Sequence, residues 1–281
     1  MTRWNGESLE FNNQNAVPEH ERLSRHWADS SVYVRKHMKA FIDIPYGAHL
    51  REKLDIFPAP AAGAPVLIFV HGGWFQFLDK SALSYVAPPY VQQGITVVTI
   101  GYPLTPQATI GEIIDSVRRA VLWVHANIAD FGGDPARISI AGHSAGGHLA
   151  LSMGVRDWTA DAGIPDVIKG CFPISGLYDL QPVTQTIYNA AIRVDMDSAS
   201  AWSPLNHFDR APAHLIATLG GDEISGFHWQ HQALLAHCRA KGIAITDAEA
   251  AGRNHYTIVD EFCSARTKLF QLVAEACHAV S

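Results

Sequence analysis

The sequence has few cysteines, no long apolar run and no run of basic residues. Its four cysteines, Cys171, Cys238, Cys263 and Cys277, are scattered singly, and none belongs to a Cys-x-x-Cys pair. This spacing argues against a disulfide framework and against a cysteine-based metal or redox site. No apolar run approaches the roughly 18 residues of a membrane span. The first residues also lack the basic and apolar stretches of a signal peptide, so we expect a cytoplasmic protein with reduced thiols.

Charge and histidine spacing exclude further classes of function. The net charge is −6, and the basic residues are interspersed with acids, which argues against nucleic acid or an anionic membrane as the main partner. The 15 histidines include no His-Glu-x-x-His spacing of a zinc hydrolase. We therefore assign no metal and no cofactor and expect a small-molecule substrate. The sequence leaves open whether the protein forms a homodimer.

Length and residue pattern predict a single α/β domain over residues 1–281. With 48% hydrophobic and 17% charged residues, the chain suits a substantial core. Residues 1–40 predict a helical prelude, after which strands and helices alternate, as in a mostly parallel sheet with helices on both faces. Residues 177–212 interrupt this alternation. They predict either a small lid, formed together with the N-terminal segment, or a surface connection without substrate contacts.

The pentapeptide Gly142-His143-Ser144-Ala145-Gly146 is the most informative motif of the chain. Residues 137–141 before it predict a short buried strand, and residues 147–153 after it predict a helix. At such a strand-to-helix turn the glycines avoid collisions, and the serine hydroxyl is exposed next to a helix N-terminus. The pattern predicts that Ser144 is a nucleophile. The alternative is a serine that merely tolerates a tight turn. His143 directly precedes Ser144 and is predicted to point away from it, into packing or a hydrogen bond.

A glycine-rich segment follows the apolar run at residues 66–70. The run predicts a strand covered on both faces, and it leads into His71-Gly72-Gly73-Trp74. Glycines allow backbone N–H groups to turn inward, so Gly72 and Gly73 are predicted to donate to an oxyanion, together with Ala145 after the nucleophile. The N–H of Trp74 is a further candidate donor. His71 is predicted to be a buried residue that fixes this loop.

A serine nucleophile requires a histidine base and an acid. Residues 213–219 predict a late core strand that ends before Gly220-Gly221-Asp222-Glu223. We predict Asp222 as the acid because it lies nearer the carboxyl end of the strand, with Glu223 as the alternative. His255 follows a further strand-like run at residues 242–246. It is predicted to be the base, which gives the chain order serine, acid, histidine.

These motifs resemble α/β-hydrolases of the kynurenine formamidase (arylformamidase) type, a branch close to the hormone-sensitive-lipase-like esterases. The resemblance covers nearly the whole chain. It rests on the segments at residues 71–74, 142–148, 174–180 and 254–256 and on the asparagine-rich opening at residues 11–15. It implies the α/β-hydrolase fold with Ser144, Asp222 and His255 in the catalytic roles. The family often has His-Gly-Gly-Tyr-Trp, whereas this sequence has His-Gly-Gly-Trp-Phe.

The resemblance implies cleavage of an N-acyl aryl amide through an acyl-enzyme, with an N-formyl amide such as N-formylkynurenine as the best substrate. The serine motif alone equally suits a carboxylesterase for small acyl esters, and the altered aromatic pair leaves open a hydrolase of longer-chain N-acyl arylamides. A non-catalytic binding protein is disfavoured because every required catalytic group is present. The aromatic residues predicted to bind substrate are Trp74, Phe75, Tyr102, Tyr178 and Trp202.

Overall fold

The computed structural model describes residue 6 and residues 9–280 of the chain. Residues 1–5, 7 and 8 of the predicted prelude lie outside the described residues. In the described part, eight strands form a sheet in the order β1-β2-β4-β3-β5-β6-β7-β8. Their bounds are β1 Phe41–Pro45, β2 Lys53–Phe57, β3 Ala64–Val70, β4 Thr96–Ile100, β5 Gly133–His143, β6 Gly170–Ile174, β7 His214–Ala217 and β8 Thr246–Asp247.

The sheet is parallel except at one edge. Strand β1 pairs antiparallel with β2, and β2 pairs antiparallel with β4, whereas every pairing from β4 to β8 is parallel. This arrangement confirms the predicted mostly parallel sheet. The last two strands are shorter than the apolar runs that predict them. Strand β7 covers four residues of the run at 213–219, and β8 overlaps the run at 242–246 only at Thr246.

Helices cover both faces of the sheet. Their bounds are α1 Asn13–Ala16, α2 His20–His37, α3 Ala87–Gln92, α4 Ile110–Asn127, α5 Ala145–Gly154, α6 Trp158–Ala162, α7 Asn189–Ile192, α8 Met196–Trp202, α9 Ser225–Lys241, α10 Ile258–Phe262 and α11 Lys268–Ala279. Short 3₁₀ helices lie at Lys80–Val86, Ile128–Phe131, Pro182–Gln185 and Pro204–Asn206.

Strand β3 shows why the central strands read as continuous apolar runs. All seven of its residues are buried. Val66, Ile68 and Val70 belong to the core that contains the apolar side of α4, whereas Leu67 and Phe69 belong to the core that contains α11. Successive side chains of a strand point to opposite faces, so a strand with helices on both sides must be apolar at every position.

The longest helix of the prelude packs beside the end of the sheet. The buried residues of helix α2 are Leu23, Trp27, Ser31 and Val34. Their spacing of three or four residues places them on one face of the helix. The Ser31 hydroxyl donates to the Ala82 carbonyl at 2.8 Å. These contacts hold α2 against the 3₁₀ helix that follows the glycine-rich loop after β3.

Residues 177–212 contain two 3₁₀ helices and two short α-helices between β6 and β7, and no strand. Their beginning is buried: the backbone N–H groups of Tyr178 and Asp179 both donate to the Gln230 side-chain oxygen at 2.8 Å. Further along, the ring of Tyr188 stacks on the ring of Trp74 with centroids 4.0 Å apart. This segment therefore lies over the glycine-rich loop.

Candidate active site

Ser144 occupies a tight turn between β5 and α5. Its backbone has φ 59° and ψ −121°, a conformation that non-glycine residues rarely adopt and that is found where function requires it. Its N–H donates to the Ile174 carbonyl at 2.9 Å, and its carbonyl accepts from Gly147 N–H at 2.8 Å. The strand, turn and helix predicted around this serine are all present, and the turn holds the side chain at the carboxyl edge of the sheet.

The two flanking glycines are required by close backbone packing. A Cβ on Gly142 would collide with the Gly146 carbonyl, and a Cβ on Gly146 would collide with the carbonyls of Val70 and His71. The turn is therefore pressed directly against the end of β3. The glycine-rich loop begins there, so the serine and this loop are held side by side.

His255 is paired with Glu223, not with Asp222. The His255 Nδ1 lies 2.6 Å from the Glu223 Oε2, and the Glu223 side chain is fully buried. The other carboxylate oxygen accepts from Gly220 N–H at 2.9 Å and from the Ser175 hydroxyl. Both oxygens of Glu223 are thus engaged, which fixes the carboxylate and, through it, the orientation of the imidazole.

The prediction that Asp222 contacts His255 is wrong. Asp222 is exposed, and its N–H donates to the Arg253 carbonyl at 3.0 Å. The chain turns at Gly220, where Glu223 N–H donates to the Gly220 carbonyl at 3.1 Å. This turn directs residue 222 to solvent and residue 223 inward, and the longer glutamate side chain spans the remaining distance to the imidazole.

The loop that carries His255 is fixed by its neighbour Asn254. The Asn254 side-chain oxygen accepts from the N–H groups of Tyr256 and Thr257, each at 3.0 Å. Such a side-chain turn immediately before α10 holds the backbone on both sides of the histidine. His255 and Ser144 line the same cavity of about 120 Å³, which we call the Ser144 cavity.

The glycine-rich loop lies against Ser144. A Cβ on Gly72 would lie 2.7 Å from the His143 carbonyl oxygen and 3.0 Å from the Ser144 Cβ, and Gly73 has φ +99° and lines the Ser144 cavity. Ala145 is the first residue of α5, where an N–H has no partner within the helix. The three predicted oxyanion donors are therefore grouped around Ser144.

Two side chains determine the orientation of the peptide groups in this loop. The Tyr102 hydroxyl donates to the His71 carbonyl at 2.7 Å, and the His71 Nδ1 lies 2.8 Å from the Gly72 carbonyl. Burial lowers the pKa of His71 to about 4, so the ring is neutral and its Nδ1–H is the donor. In a trans peptide the N–H points opposite to the C=O, so the N–H groups of Gly72 and Gly73 point away from these two side chains. The prediction that His71 is a buried residue fixing the loop is confirmed.

Among the five aromatic residues predicted to bind substrate, Trp74 lines the Ser144 cavity. Phe75 is fully buried and packs edge-on against His148. Tyr178 is also buried, and its hydroxyl accepts from Gly176 N–H at 3.2 Å. Neither contributes to the wall of the cavity, so their assignment as substrate-binding residues is wrong.

Tyr102 and Trp202 are also misassigned, for different reasons. Tyr102 is fully buried, and its hydroxyl donates to the His71 carbonyl of the glycine-rich loop rather than facing the cavity. Trp202 is 40% exposed and lies against Gly111 at a separate surface cavity. The aromatic character of these residues therefore reflects core packing at Tyr102 and helix packing at Trp202.

Several residues of the Ser144 cavity were missed by sequence reasoning. The wall also includes residues of α1 and α2, two residues that follow the glycine-rich loop, and one neighbour of each catalytic candidate, namely Asn13, Gln14, His20, Ser24, Trp27, Phe77, Leu78, His143 and Tyr256. In the sequence, the asparagine-rich opening is only a point of family resemblance. Its place in the cavity depends on packing across more than a hundred residues of chain, which no local pattern indicates.

His143 packs against Trp27 and also belongs to the cavity. Its ring centroid is 4.6 Å from that of His255 and 6.2 Å from that of Trp27. Burial and the neighbouring His255 hold the pKa of His143 well below its usual range, so His143 is neutral at neutral pH. The prediction that His143 points into packing is confirmed by its contact with Trp27, and the residue also lines the cavity around Ser144.

Among residue 6 and residues 9–280, no group of three or more histidine, cysteine, aspartate or glutamate side chains could hold a metal ion. Over the same residues, no helix is both long enough and apolar enough to cross a membrane.

The sequence is similar to those of known hydrolases. The family model named BD-FAE matches residues 54–173. Kynurenine formamidase from Danio rerio is 28% identical over 242 residues, which cover 84% of this chain and 81% of that protein. Esterase LipQ from Mycobacterium tuberculosis is 38% identical over 157 residues, which cover 52% of this chain and 37% of that protein.

Solved structures give the same result. A proposed thioesterase from Silicibacter sp. tm1040 superimposes with a TM-score of 0.83 at 26% identity, covering 94% of this chain and 97% of the other. An esterase from Pyrobaculum calidifontis superimposes with a TM-score of 0.71 at 18% identity, covering 93% and 94%. The fold and the site define an α/β-hydrolase, and the chain is a hydrolase. Within that class, its sequence is similar to the kynurenine formamidases of Danio rerio and Salmo salar over 84% of its length.

Proposed function

We propose that the protein is a serine hydrolase in which Ser144 is the nucleophile, His255 the general base and Glu223 the residue that orients His255. The observation that carries this proposal is the 2.6 Å contact between His255 Nδ1 and the buried Glu223 carboxylate, in the cavity that also contains Ser144. With Nδ1–H donated to the carboxylate, the free Nε2 lone pair is available to accept the serine proton.

The proposed reaction proceeds in two halves. His255 Nε2 takes the proton from the Ser144 hydroxyl as the oxygen attacks the substrate carbonyl, and the resulting oxyanion accepts from the N–H groups of Gly72, Gly73 and Ala145. The imidazolium then gives its proton to the leaving nitrogen or oxygen, and the bond to the carbonyl carbon breaks. A water molecule, deprotonated by His255, hydrolyses the acyl-enzyme and restores Ser144.

We propose an N-acyl aryl amide as substrate, with N-formyl as the preferred acyl group. Similarity to a protein named kynurenine formamidase over 84% of the chain supports this class. The small Ser144 cavity, about 120 Å³, supports a short acyl group. Trp74 lines that cavity and is braced by its stack on Tyr188, so a long acyl chain would have to displace a supported indole.

A carboxylesterase for small acyl esters is the second candidate. The similarity to esterase LipQ supports it, and the proposed chemistry is the same for both substrates, except that an ester leaving group needs less help from the proton that His255 returns. A hydrolase of longer-chain N-acyl arylamides is a third candidate, and it requires Trp74 to move.

We also propose that the N-terminal segment and residues 177–212 together form the lid of the site. Residues of α1 and α2 line the Ser144 cavity, and Tyr188 stacks on Trp74 in its wall. The Tyr188 hydroxyl also lies 3.4 Å from the Asn12 side-chain oxygen, so the two segments meet over the oxyanion loop.

One substrate panel tests the proposed function. The kcat/KM values for N-formylkynurenine, formanilide and p-nitrophenyl acetate separate amide from ester preference, and formyl, acetyl, butyryl and octanoyl anilides give the dependence on acyl length. We expect the formyl amides to be best. Values that rise with acyl length would overturn the short-acyl assignment, and turnover of the acetate ester alone would establish the esterase.

The Ser144→Ala variant is the control for the mechanism. We expect it to lose both turnover and labelling by a fluorophosphonate, whose mass should appear on the peptide that contains Ser144 in the unmodified protein. Residual catalysis of roughly 10³-fold over water is compatible with the proposal, because oxyanion donors and binding remain. Labelling at a different serine, with turnover retained in Ser144→Ala, would overturn it.

A further inference from the structure

Two nitrogen atoms in the wall of the Ser144 cavity have no hydrogen-bond partner among the described residues. They are the Nδ2 of Asn13 and the Nε2 of His143. Asn13 is 4% exposed and His143 is 5% exposed, so both groups have left bulk water without gaining a protein partner. Buried polar groups in native proteins are usually paired, and a substrate bound in this cavity can supply partners to residues that line it.

The two nitrogens offer opposite hydrogen-bonding character. The Asn13 amide nitrogen can only donate. Burial and the neighbouring His255 hold the pKa of His143 well below its usual range, so its ring is neutral, with one donor and one acceptor nitrogen. In the tautomer with the proton on Nδ1, the unpartnered Nε2 carries the lone pair and is an acceptor.

The backbone holds Asn13 in place over the cavity. Glu10 N–H donates to the Ser225 hydroxyl at 3.1 Å, and Gly226 N–H donates to the Glu10 carbonyl at 3.0 Å. The segment then turns into α1, where the Asn12 side chain accepts from Asn15 N–H at 3.1 Å. A Cβ on Gly226 would collide with the Glu10 carbonyl and the Phe11 ring, so the segment lies directly on the start of α9.

His143 also indicates which part of the substrate this subsite would contact. Its ring lies 4.6 Å from that of His255, the group that returns a proton to the departing atom in the proposed reaction. The leaving group must therefore pass beside His143. In a cavity of this size, a substituent that reaches Asn13 and His143 must be attached close to the scissile bond.

We propose that Asn13 and His143 form a polar subsite for the leaving group, in which Asn13 donates to a carbonyl oxygen and His143 accepts from an N–H group. An aryl leaving group with a primary carboxamide beside the scissile nitrogen provides both partners, and one with a ketone provides only the acceptor for Asn13. This inference rests on the proposed function for the direction in which the substrate is bound, and it adds the chemistry by which the leaving group is recognised.

Three formanilides test the subsite. They differ only in the substituent ortho to the scissile nitrogen, which is a methyl, an acetyl or a carboxamide group. For each variant the kcat/KM is divided by that of the unmodified protein on the same substrate, so the intrinsic reactivity of the three substrates cancels. A buried hydrogen bond lost at one group corresponds to roughly a 10- to 100-fold effect. The variants are Asn13→Leu, His143→Phe and His143→Gln, with Asn15→Leu as the matched control.

We expect Asn13→Leu to reduce kcat/KM at least 10-fold more for the acetyl and carboxamide substrates than for the methyl substrate. His143→Phe should affect the carboxamide substrate at least 10-fold more than the acetyl substrate, and His143→Gln, which restores a polar group, should recover part of that difference. Asn15 is exposed and lies outside the Ser144 cavity, so Asn15→Leu should change all three values by the same factor.

Equal losses on all three substrates in Asn13→Leu and His143→Phe would mean that these residues only support the fold, and would overturn the subsite. Unchanged substrate ratios would overturn it as well. Fluorophosphonate labelling of Ser144 counts the active sites in each variant, so a folding defect is separated from a binding defect.

The subsite can be tested even when the proposed substrate class is wrong. If the unmodified protein cleaves esters and not anilides, phenyl acetates with the same three ortho substituents replace the formanilides. If it cleaves neither, 2-aminobenzamide and o-toluidine are compared as protectants against fluorophosphonate labelling of Ser144. Protection that favours 2-aminobenzamide at least 10-fold, and loses this preference in Asn13→Leu, supports the subsite, whereas equal protection overturns it.

Discussion

The ring of His71 stacks on the ring of Tyr102 with centroids 4.2 Å apart and 10° between their planes. The Tyr102 hydroxyl donates a hydrogen bond to the His71 carbonyl, and the His71 ring donates one to the Gly72 carbonyl. The two side chains hold consecutive peptide groups of the glycine-rich loop in one orientation. A glycine-rich loop has little conformational preference of its own, so its geometry depends on these contacts.

Tyr102→Phe therefore tests whether peptide orientation supports catalysis. We expect kcat to fall about 10- to 100-fold with KM changed much less, because a misoriented oxyanion donor weakens the transition state more than the bound substrate. Steady-state kinetics on formanilide and p-nitrophenyl acetate measure the effect. A fall confined to KM would contradict this role and return Tyr102 to substrate binding.

Glu223→Gln and Asp222→Asn form a matched pair that tests which acid acts on His255. The glutamine keeps the shape of the side chain but loses the charge that favours the imidazolium, so we expect kcat to fall about 10²- to 10⁴-fold. Asp222→Asn changes an exposed side chain, and we expect its kcat to stay within about two-fold. Comparable losses in both variants would show that the acid role is shared, and a loss only in Asp222→Asn would reverse the assignment.

Trp74→Ala tests the wall that limits acyl length. Removing the indole opens space beside Gly73 and leaves Tyr188 without its stacking partner. We expect kcat/KM for the butyryl anilide, relative to that for the formyl anilide, to rise at least about 10- to 200-fold. This is the range for one methylene in a hydrophobic pocket. The same acyl series on Phe75→Leu provides the control, because Phe75 is buried outside the cavity wall. An unchanged ratio in Trp74→Ala would place the acyl group elsewhere.

Stability should fall as the pH drops below neutrality. Burial lowers the pKa of His71 and that of His148 to about 4, whereas both residues take up protons near pH 6.5 when the chain is unfolded. The unfolded state therefore binds more protons between these values, and stability is lost as the pH falls through this window. Each histidine should remove about 1 kcal/mol between pH 7 and pH 5.5.

Urea unfolding at pH 7, 6 and 5.5 measures this loss. His148→Gln removes one of the titrating groups, so its stability should decline less steeply with pH than that of the unmodified protein, even if it is lower at every pH. A parallel decline would show that His148 does not contribute. Protonation of exposed carboxylates, with pKa values near 4, affects this range much less.

The fold and the tight turn that carries Ser144 could be predicted from sequence because their signals are local. The apolar run of β3 and the glycines around Ser144 are direct consequences of burial on both faces and of backbone contacts within a few residues. Such constraints leave a continuous pattern in the chain. The placement of His255 in the same cavity as Ser144 could also be predicted, because chain order and position after the last strands narrow the choice among the histidines.

The choice between Asp222 and Glu223 depended on a tertiary detail. Gly221 N–H donates to the Ala250 carbonyl at 2.9 Å and Asp222 N–H donates to Arg253, so the turn is set by a segment about thirty residues away. When such contacts set the direction of the backbone, distance from the strand end does not show which acid faces the histidine. The aromatic candidates failed for a related reason, since large aromatic residues are commonly core residues and their type alone does not indicate a cavity wall.

The backbone contact between Gly146 and the end of β3 has a consequence for motion. No side chain lies between the two segments at this contact, so a rotamer change cannot separate Ser144 from the glycine-rich loop. Widening of the cavity to admit or release a molecule therefore depends on its side chains, which include Trp74 and residues of α1 and α2. A change in the rotamers of these side chains would alter the rates at which molecules enter and leave, without altering the backbone alignment of Ser144 with the glycine-rich loop.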